Sequence, residues 1–154
     1  MFSFIKKKKV KKKLSPIVDI LISFYLAPFD FRIPFDTLSD NLKIKIMLFT
    51  YGVVDNYVQA SKLSDSEVDR IFEEVDVLTK NTMNVSFLKF LKSQDYIKSF
   101  ENASLLEIIK LGGKTYSDFA SKKHATAVLV LSSFIAIWQE NERCEIEKMQ
   151  RKEA

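Results

Sequence analysis

The sequence predicts an all-α fold, a compact bundle of roughly five to seven helices around a central apolar C-terminal helix, with a disordered basic N-terminal tail. Only three glycines and three prolines occur in 154 residues, and every proline precedes residue 35. Little therefore interrupts helices along most of the chain. Apolar residues recur at three-to-four-residue spacing, and Ser64 with Glu67 has the spacing of a capping box, which marks a helix start.

Charge divides the chain into a basic tail, residues 1–13, and a single helical domain, residues 14–150. Seven of the 24 basic residues lie in the tail, and no acidic residue precedes Asp19. Outside the tail, the chain has 17 basic and 20 acidic residues. The isoelectric point near 9.0 is thus a property of the tail, and a uniformly basic nucleic-acid-binding face is not indicated for the domain.

The first half of the domain contains three predicted helices. The first has Ser15 as its N-cap and ends near Leu26, because Pro28 disfavours helical conformation in the residue before it. The second covers residues 36–60, and Gly52 in its middle indicates close approach by a neighbouring helix. The third begins after Ser64 and carries one apolar stripe on an otherwise charged surface.

The second half is predicted to be less regular before it ends in a long helix. Residues 84–100 are densely apolar, with a break around residues 93–95. Residues 105–111 form a short helix that Gly112 caps. The last helix runs from about Thr115 to Lys148. Its segment 125–138 is apolar on nearly all sides, which predicts a central position in the bundle, and at about 21 Å it is too short to span a membrane.

The residue inventory excludes most catalytic and metal-binding sites. His124 is the only histidine and Cys144 the only cysteine, so a structural zinc site cannot form. His124 follows two lysines, which favours a position on a helix surface. Residues 112–115 end like a phosphate-binding loop, but the upstream glycine and strand are missing. We therefore expect no catalytic residue, no metal and no cofactor, and a protein that is not an enzyme.

The tail is the feature that indicates a charged partner. In the first interpretation, apolar residues at its tip insert into a bilayer interface while its lysines face anionic headgroups. In the second interpretation, the same lysines bind nucleic acid. In the third, the tail is a solubilising leader without a partner. The predicted contact residues are Phe2, Phe4, Ile5, Lys6, Lys7, Lys8, Lys9, Lys11, Lys12 and Lys13.

An aromatic connector follows the first helix and supplies a second candidate surface, with Phe29, Phe31, Ile33 and Phe35 as its apolar members. It is either a loop that binds a protein partner or a segment buried as a lid over the core, and burial is favoured.

With the catalytic and metal constellations missing, the sequence predicts a non-enzymatic helical module that binds an unidentified protein. An anionic membrane is the first alternative and nucleic acid the second. The single cysteine fits a reducing compartment, so we expect a cytoplasmic protein, at the inner face of a membrane if the tail binds lipid. Oligomeric state is left open.

Overall fold

The computed structural model describes residues 14–30 and 35–153, with the backbone alone for residues 27–30 and 36. These residues form seven α-helices and no β-strand, which confirms the all-α prediction. In chain order the elements are α1 Pro16–Asp30, a short 3₁₀ turn Phe35–Thr37, α2 Asp40–Ala60, α3 Asp65–Met83, α4 Phe87–Leu91, α5 Gln94–Ser99, α6 Ala103–Ala120 and α7 His124–Glu153.

Side-chain caps set most of the helix starts. The capping box of α3 is confirmed: Ser64 Oγ accepts from the Glu67 amide at 3.3 Å, and Glu67 accepts from the Ser64 amide at 2.9 Å. Ser93 caps α5, which confirms the break around residues 93–95. The start of α2 differs from its prediction, because Ser39 is the cap and the 3₁₀ turn occupies residues 35–37.

Two predicted helix ends are wrong. The first helix does not end near Leu26, because α1 continues to Asp30. Pro28 lies in its last turn and removes one backbone hydrogen bond, yet residues 27–30 remain helical. Gly112 does not cap a short helix either, since α6 runs unbroken from Ala103 to Ala120.

The turn into the last helix lies later than predicted. α6 is followed by a turn at residues 121–123, where Lys122 has a left-handed backbone conformation with φ of 69°. The amide of Lys123 donates to the carbonyl of Asp118 at 3.0 Å, which is the closing bond of a Schellman turn. α7 therefore begins at His124 and not near Thr115.

The centre of the bundle is α2, not α7. Nine of the 21 residues of α2 are buried, against four of 30 in α7. α2 packs against α1, α6 and α7, whereas Leu129 and Ile137 of α7 are each 51% exposed. Within residues 14–30 and 35–153, no helix combines the length and the apolar character needed to cross a membrane.

α2 and α6 contact each other through backbone, as the position of Gly52 indicates. A Cβ added to Gly52 would lie 2.0 Å from the carbonyl oxygen of Ile109. A Cβ added to Gly112 would lie 2.1 Å from the carbonyl oxygen of Phe49. Each glycine thus provides the space into which the backbone of the other helix fits. The neighbouring Gly113 could accept a side chain, since an added Cβ would lie 3.4 Å from its nearest neighbour.

A buried carboxylate joins the end of α3 to the start of α4. Asp76 is 5% exposed and accepts from Ser86 Oγ at 2.6 Å and from the Leu88 amide at 3.1 Å, while Lys80 Nζ lies 2.7 Å from its second oxygen. Burial by itself raises the pKa of Asp76, but these hydrogen bonds and the Lys80 charge outweigh burial and lower the pKa below its usual value.

Substituting alanine at the two adjacent glycines of α6 separates helix propensity from packing. Gly112→Ala should lower the free energy of unfolding by about 2–3 kcal/mol, because its methyl group overpacks the contact with α2. Gly113→Ala should raise it by up to about 1 kcal/mol, since alanine favours the helix. Urea unfolding at equilibrium measures both. Equal effects of the two substitutions would contradict the backbone contact.

Replacing Asp76 should destabilise the protein in a pH-dependent manner. Asp76→Asn should lower the free energy of unfolding by about 2 kcal/mol at neutral pH. The substitution removes the negative charge from a buried side chain that accepts from Ser86 and Leu88 and pairs with Lys80. A folded-state pKa below the unfolded value means that the carboxylate stabilises the fold above about pH 4 and loses that effect as pH falls through the folded pKa.

The difference between wild type and Asp76→Asn should therefore shrink in acid. Asp69→Asn, which alters an exposed carboxylate on the same helix, is the matched control and should change stability little at either pH. A penalty for Asp76→Asn that is the same in acid and at neutral pH would show that the charge of Asp76 is not what stabilises the α3–α4 junction.

Candidate binding groove

α6 and α7, with one side chain from α2, enclose a surface groove with a volume of about 610 Å³. That volume lies within the range of about 300–1,000 Å³ that is typical of ligand sites. The floor of the groove is apolar, and its edges are polar. The residues of the floor are Leu105, Ile108, Leu111, Phe134 and Trp138.

Helical periodicity places the floor residues side by side. Leu105, Ile108 and Leu111 follow one another at intervals of three on α6, so they share one face of that helix. Phe134 and Trp138 are four residues apart on α7, and their ring centroids lie 5.8 Å from each other. Ile108 and Trp138 are buried, while the other three are half-buried and so present apolar surface to the groove.

Lysines dominate the edges of the groove. Lys110 and Lys114 are exposed on α6, one turn apart, and Lys45 reaches in from α2 with its Nζ 5.8 Å from the centroid of the Trp138 ring. That position is favourable through cation–π attraction. Ser104, Glu107 and Asn141 complete the polar lining.

The groove is a positively charged site. Glu107 is its only lining carboxylate and lies 3.1 Å from Lys110 Nζ, but both side chains are exposed, so this pair is weak. Within residues 14–30 and 35–153, neither Lys45 nor Lys114 has a carboxylate within 4.0 Å. With three lysines and one glutamate in its lining, the groove attracts acidic ligands that also have an apolar side.

The lining does not assemble a set of groups for catalysis. It contains no histidine and no cysteine, and its one carboxylate is paired with a lysine. Covalent catalysis requires a nucleophile within hydrogen-bond reach of a base. Among the residues that the structure describes, no three His, Cys, Asp or Glu side chains form a group that could hold a metal ion.

The residues predicted from sequence to contact partners do not form this groove. The tail residues 1–13 lie outside the described residues, so membrane and nucleic acid contacts remain predictions. In the connector, Phe31 and Ile33 also lie outside them, and Phe29 is described as backbone within α1. Phe35 does not belong to an exposed patch: it is 1% exposed and packs on Tyr25, with ring centroids 5.5 Å apart.

The single histidine and the single cysteine occupy surface positions. His124 is exposed at the first position of α7, and its ring packs edge-on against Phe119 with centroids 4.4 Å apart. Cys144 is partly exposed on α7, with Sγ 3.8 Å from a carboxylate oxygen of Glu140.

The groove was missed in the sequence because Gly112 was interpreted as a helix end. A helix end at that position separates Lys114 from the helix that carries Leu105, Ile108 and Leu111. Had α6 been predicted to continue, the recurrence of apolar residues and lysines at three-to-four spacing from 104 to 114 would have identified one edge of the groove. No local sequence pattern predicts that Lys45 reaches the groove from α2.

No family model matches the chain, and no curated protein and no solved structure is significantly similar to it.

Proposed function

We propose that this chain is a non-enzymatic interaction module that binds an amphipathic helix of a protein partner in the groove between α6 and α7. The observation that carries the proposal is the combination of an apolar floor with a lysine edge. Helix-in-groove recognition uses such surfaces, in which apolar side chains of the bound helix fill the floor at three-to-four-residue intervals.

The length of the groove suits a short helix. Its α6 edge extends from Ser104 to Lys114, which is about 15 Å at the helical rise of about 1.5 Å per residue. A bound helix of about ten residues spans that distance and presents three apolar side chains along one face. A compact metabolite would leave part of such an open edge unused.

The composition of the groove supports a protein as its ligand. Phe134 and Trp138 lie in its floor, and aromatic residues are over-represented among those that dominate binding energy. Polar side chains surround them at the edge, as in interfaces whose centre is apolar and whose rim is solvated. The assignment to a non-enzyme is supported by polar side chains that stand at the edge and do not converge on one point.

A displayed library of random 16-residue peptides tests the proposal, with the full chain as bait. Selected peptides should carry apolar residues at helical spacing and bind at least about tenfold more weakly to Leu111→Gln, which makes the floor polar. Trp138 is the only tryptophan, so binding in the groove should also change the intrinsic fluorescence of the protein.

Ile137→Gln is the matched control. It removes an exposed apolar side chain from α7 at a position that does not line the groove, and it should leave peptide affinity unchanged. If Leu111→Gln fails to fold, Ser104→Trp replaces it, because Ser104 is exposed at the groove edge and a bulky side chain there obstructs the floor. Peptides that bind wild type and both groove variants equally would show that the groove is not the binding site, as would a selection that enriches nothing.

A further inference from the structure

Lys45 is a partly desolvated cation in the lining of the groove. It is half-buried, its Nζ lies 5.8 Å from the centroid of the Trp138 ring, and no carboxylate of the described residues lies within 4.0 Å of it. A charge that is partly removed from water is costly unless an opposite charge compensates it. The ring attracts the cation but provides no carboxylate oxygen for its three N–H donors, so these donors favour an anionic ligand.

The relative direction of α2 and α6 places Lys45 at one end of the groove. The two helices run in the same direction, because the carbonyl of Phe49 contacts Gly112 and the side chain of Asn56 lies 3.4 Å from that of Ser117. Residue 45 precedes Phe49 by about one turn. It therefore lies level with the first two turns of α6.

Positive charge extends from Lys45 along the groove. Lys110 and Lys114 follow on α6 toward its other end, one turn apart. A ligand with one carboxylate could pair with only one of these three lysines. A helix with acidic residues on successive turns presents carboxylates about 5.4 Å apart along its axis, and so could approach all three.

We infer that the ligand of the groove is an acidic amphipathic helix of another protein, and that Lys45 selects this helix by pairing with one of its carboxylates. The inference rests on the proposed function, and it names the chemistry of the partner and the residue that determines specificity. Apolar side chains of the helix cover Phe134 and Trp138, one carboxylate reaches Lys45, and further carboxylates approach Lys110 and Lys114.

The pair with Lys45 contributes more to affinity than the other pairs. A bound helix excludes water from the half-buried Lys45, and an ion pair with less surrounding water is stronger and less screened by salt. Lys110 and Lys114 are exposed. Ion pairs at such positions contribute little to affinity and act mainly on the rate of association.

A protein helix fits the groove better than nucleic acid does. Proteins that bind single-stranded nucleic acid stack its bases on the faces of aromatic rings. Trp138 is only 6% exposed, and Lys45 already lies over its ring. Outside the tail, the chain also has more acidic than basic residues, which opposes the approach of a phosphate backbone.

The chain itself does not supply an acidic helix for the groove. Residues 1–13 carry seven lysines and no acidic residue, and residues 146–153 carry three basic residues and two glutamates. The lysines of the groove repel both segments. α3 is acidic and amphipathic, but its apolar residues Ile71 and Val75 are buried in the core. The partner is therefore a different protein.

The displayed peptide library tests the inference when wild type and Lys45→Met are compared as baits. Methionine keeps an unbranched apolar stem beside Trp138 and removes the charge. Peptides selected with wild type should be enriched in aspartate or glutamate beside their apolar positions. Peptides selected with Lys45→Met should lack that enrichment at one of these positions, the one that pairs with Lys45.

Calorimetric titration of two synthetic peptides then measures the preference. The first is the tightest peptide selected with wild type, and the second has glutamine in place of the acidic residue at the position that depends on Lys45. Wild type should bind the acidic peptide at least about tenfold more tightly than the glutamine peptide. Lys45→Met should bind both equally, and Lys45→Arg, which keeps the charge, should restore the preference for the acidic peptide.

Lys43→Met is the matched control. Lys43 lies on the same helix and is also half-buried, but it lines a different cavity, so this variant should keep the full preference. Lys114→Gln, at the exposed edge, should slow association and reduce its salt dependence, with less than about a threefold loss of affinity.

Equal binding of the two peptides by wild type would overturn the inference, as would a preference that Lys45→Met retains or that Lys43→Met abolishes. Peptides that require Leu111 but show no acidic enrichment would also overturn it, while the proposed function would stand. Peptides that bind independently of the groove, or a selection that enriches nothing, would remove both.

Two further results would assign the groove to another occupant and so overturn the inference. One is a single-stranded oligonucleotide that displaces the acidic peptide from wild type at lower concentration than unlabelled peptide does. The other is self-association of wild type in sedimentation equilibrium that Lys45→Met abolishes, which would identify a second copy of the chain as the ligand.

Discussion

The contact of α2 with α6 through Gly52 and Gly112 is the constraint on which the arrangement of the other helices depends. Carbonyl oxygens of Ile109 and Phe49 occupy the space where a side chain would begin at each glycine, so the two helices lie closer than side chains would permit. α2 is then enclosed by α6 on this side and by α1 and α7 elsewhere. Glycine costs a helix about 1 kcal/mol relative to alanine, and the close packing of the two backbones offsets that cost.

The groove depends on the continuity of α6 and on the position of α2. Because α6 continues through Gly112 and Gly113, one helix provides both Leu105 and Lys114 to the groove. Because α2 also packs against α7, Lys45 of α2 reaches the ring of Trp138. The consecutive helices α6 and α7 thus share one site with α2, which is distant in sequence. The site has a positive edge on a domain whose other residues are more acidic than basic.

Local patterns predicted much of the secondary structure for identifiable reasons. The capping box of Ser64 and Glu67 involves residues three apart, so it forms wherever the chain lies. The break before α5 has a similarly local cause in the side chain of Ser93. The errors arose where a local preference competed with tertiary contacts: Gly112 has the residue type of a helix end but the environment of a helix interior. Phe35 is buried, as favoured for the connector, and packs on Tyr25.

The sequence by itself determined the helical class, the separation of a basic tail from a more acidic domain, and the absence of the residues that most catalytic and zinc sites require. These properties depend on composition and on neighbours within about one helical turn. Only the tertiary structure decided that α2 is central, that Gly112 serves the same helix contact as Gly52, and that lysines and aromatic residues from three helices form a groove. Burial and long-range contacts depend on which helix faces pack against each other. The periodicity of a sequence identifies the apolar face of a helix but does not show which other helix packs against that face.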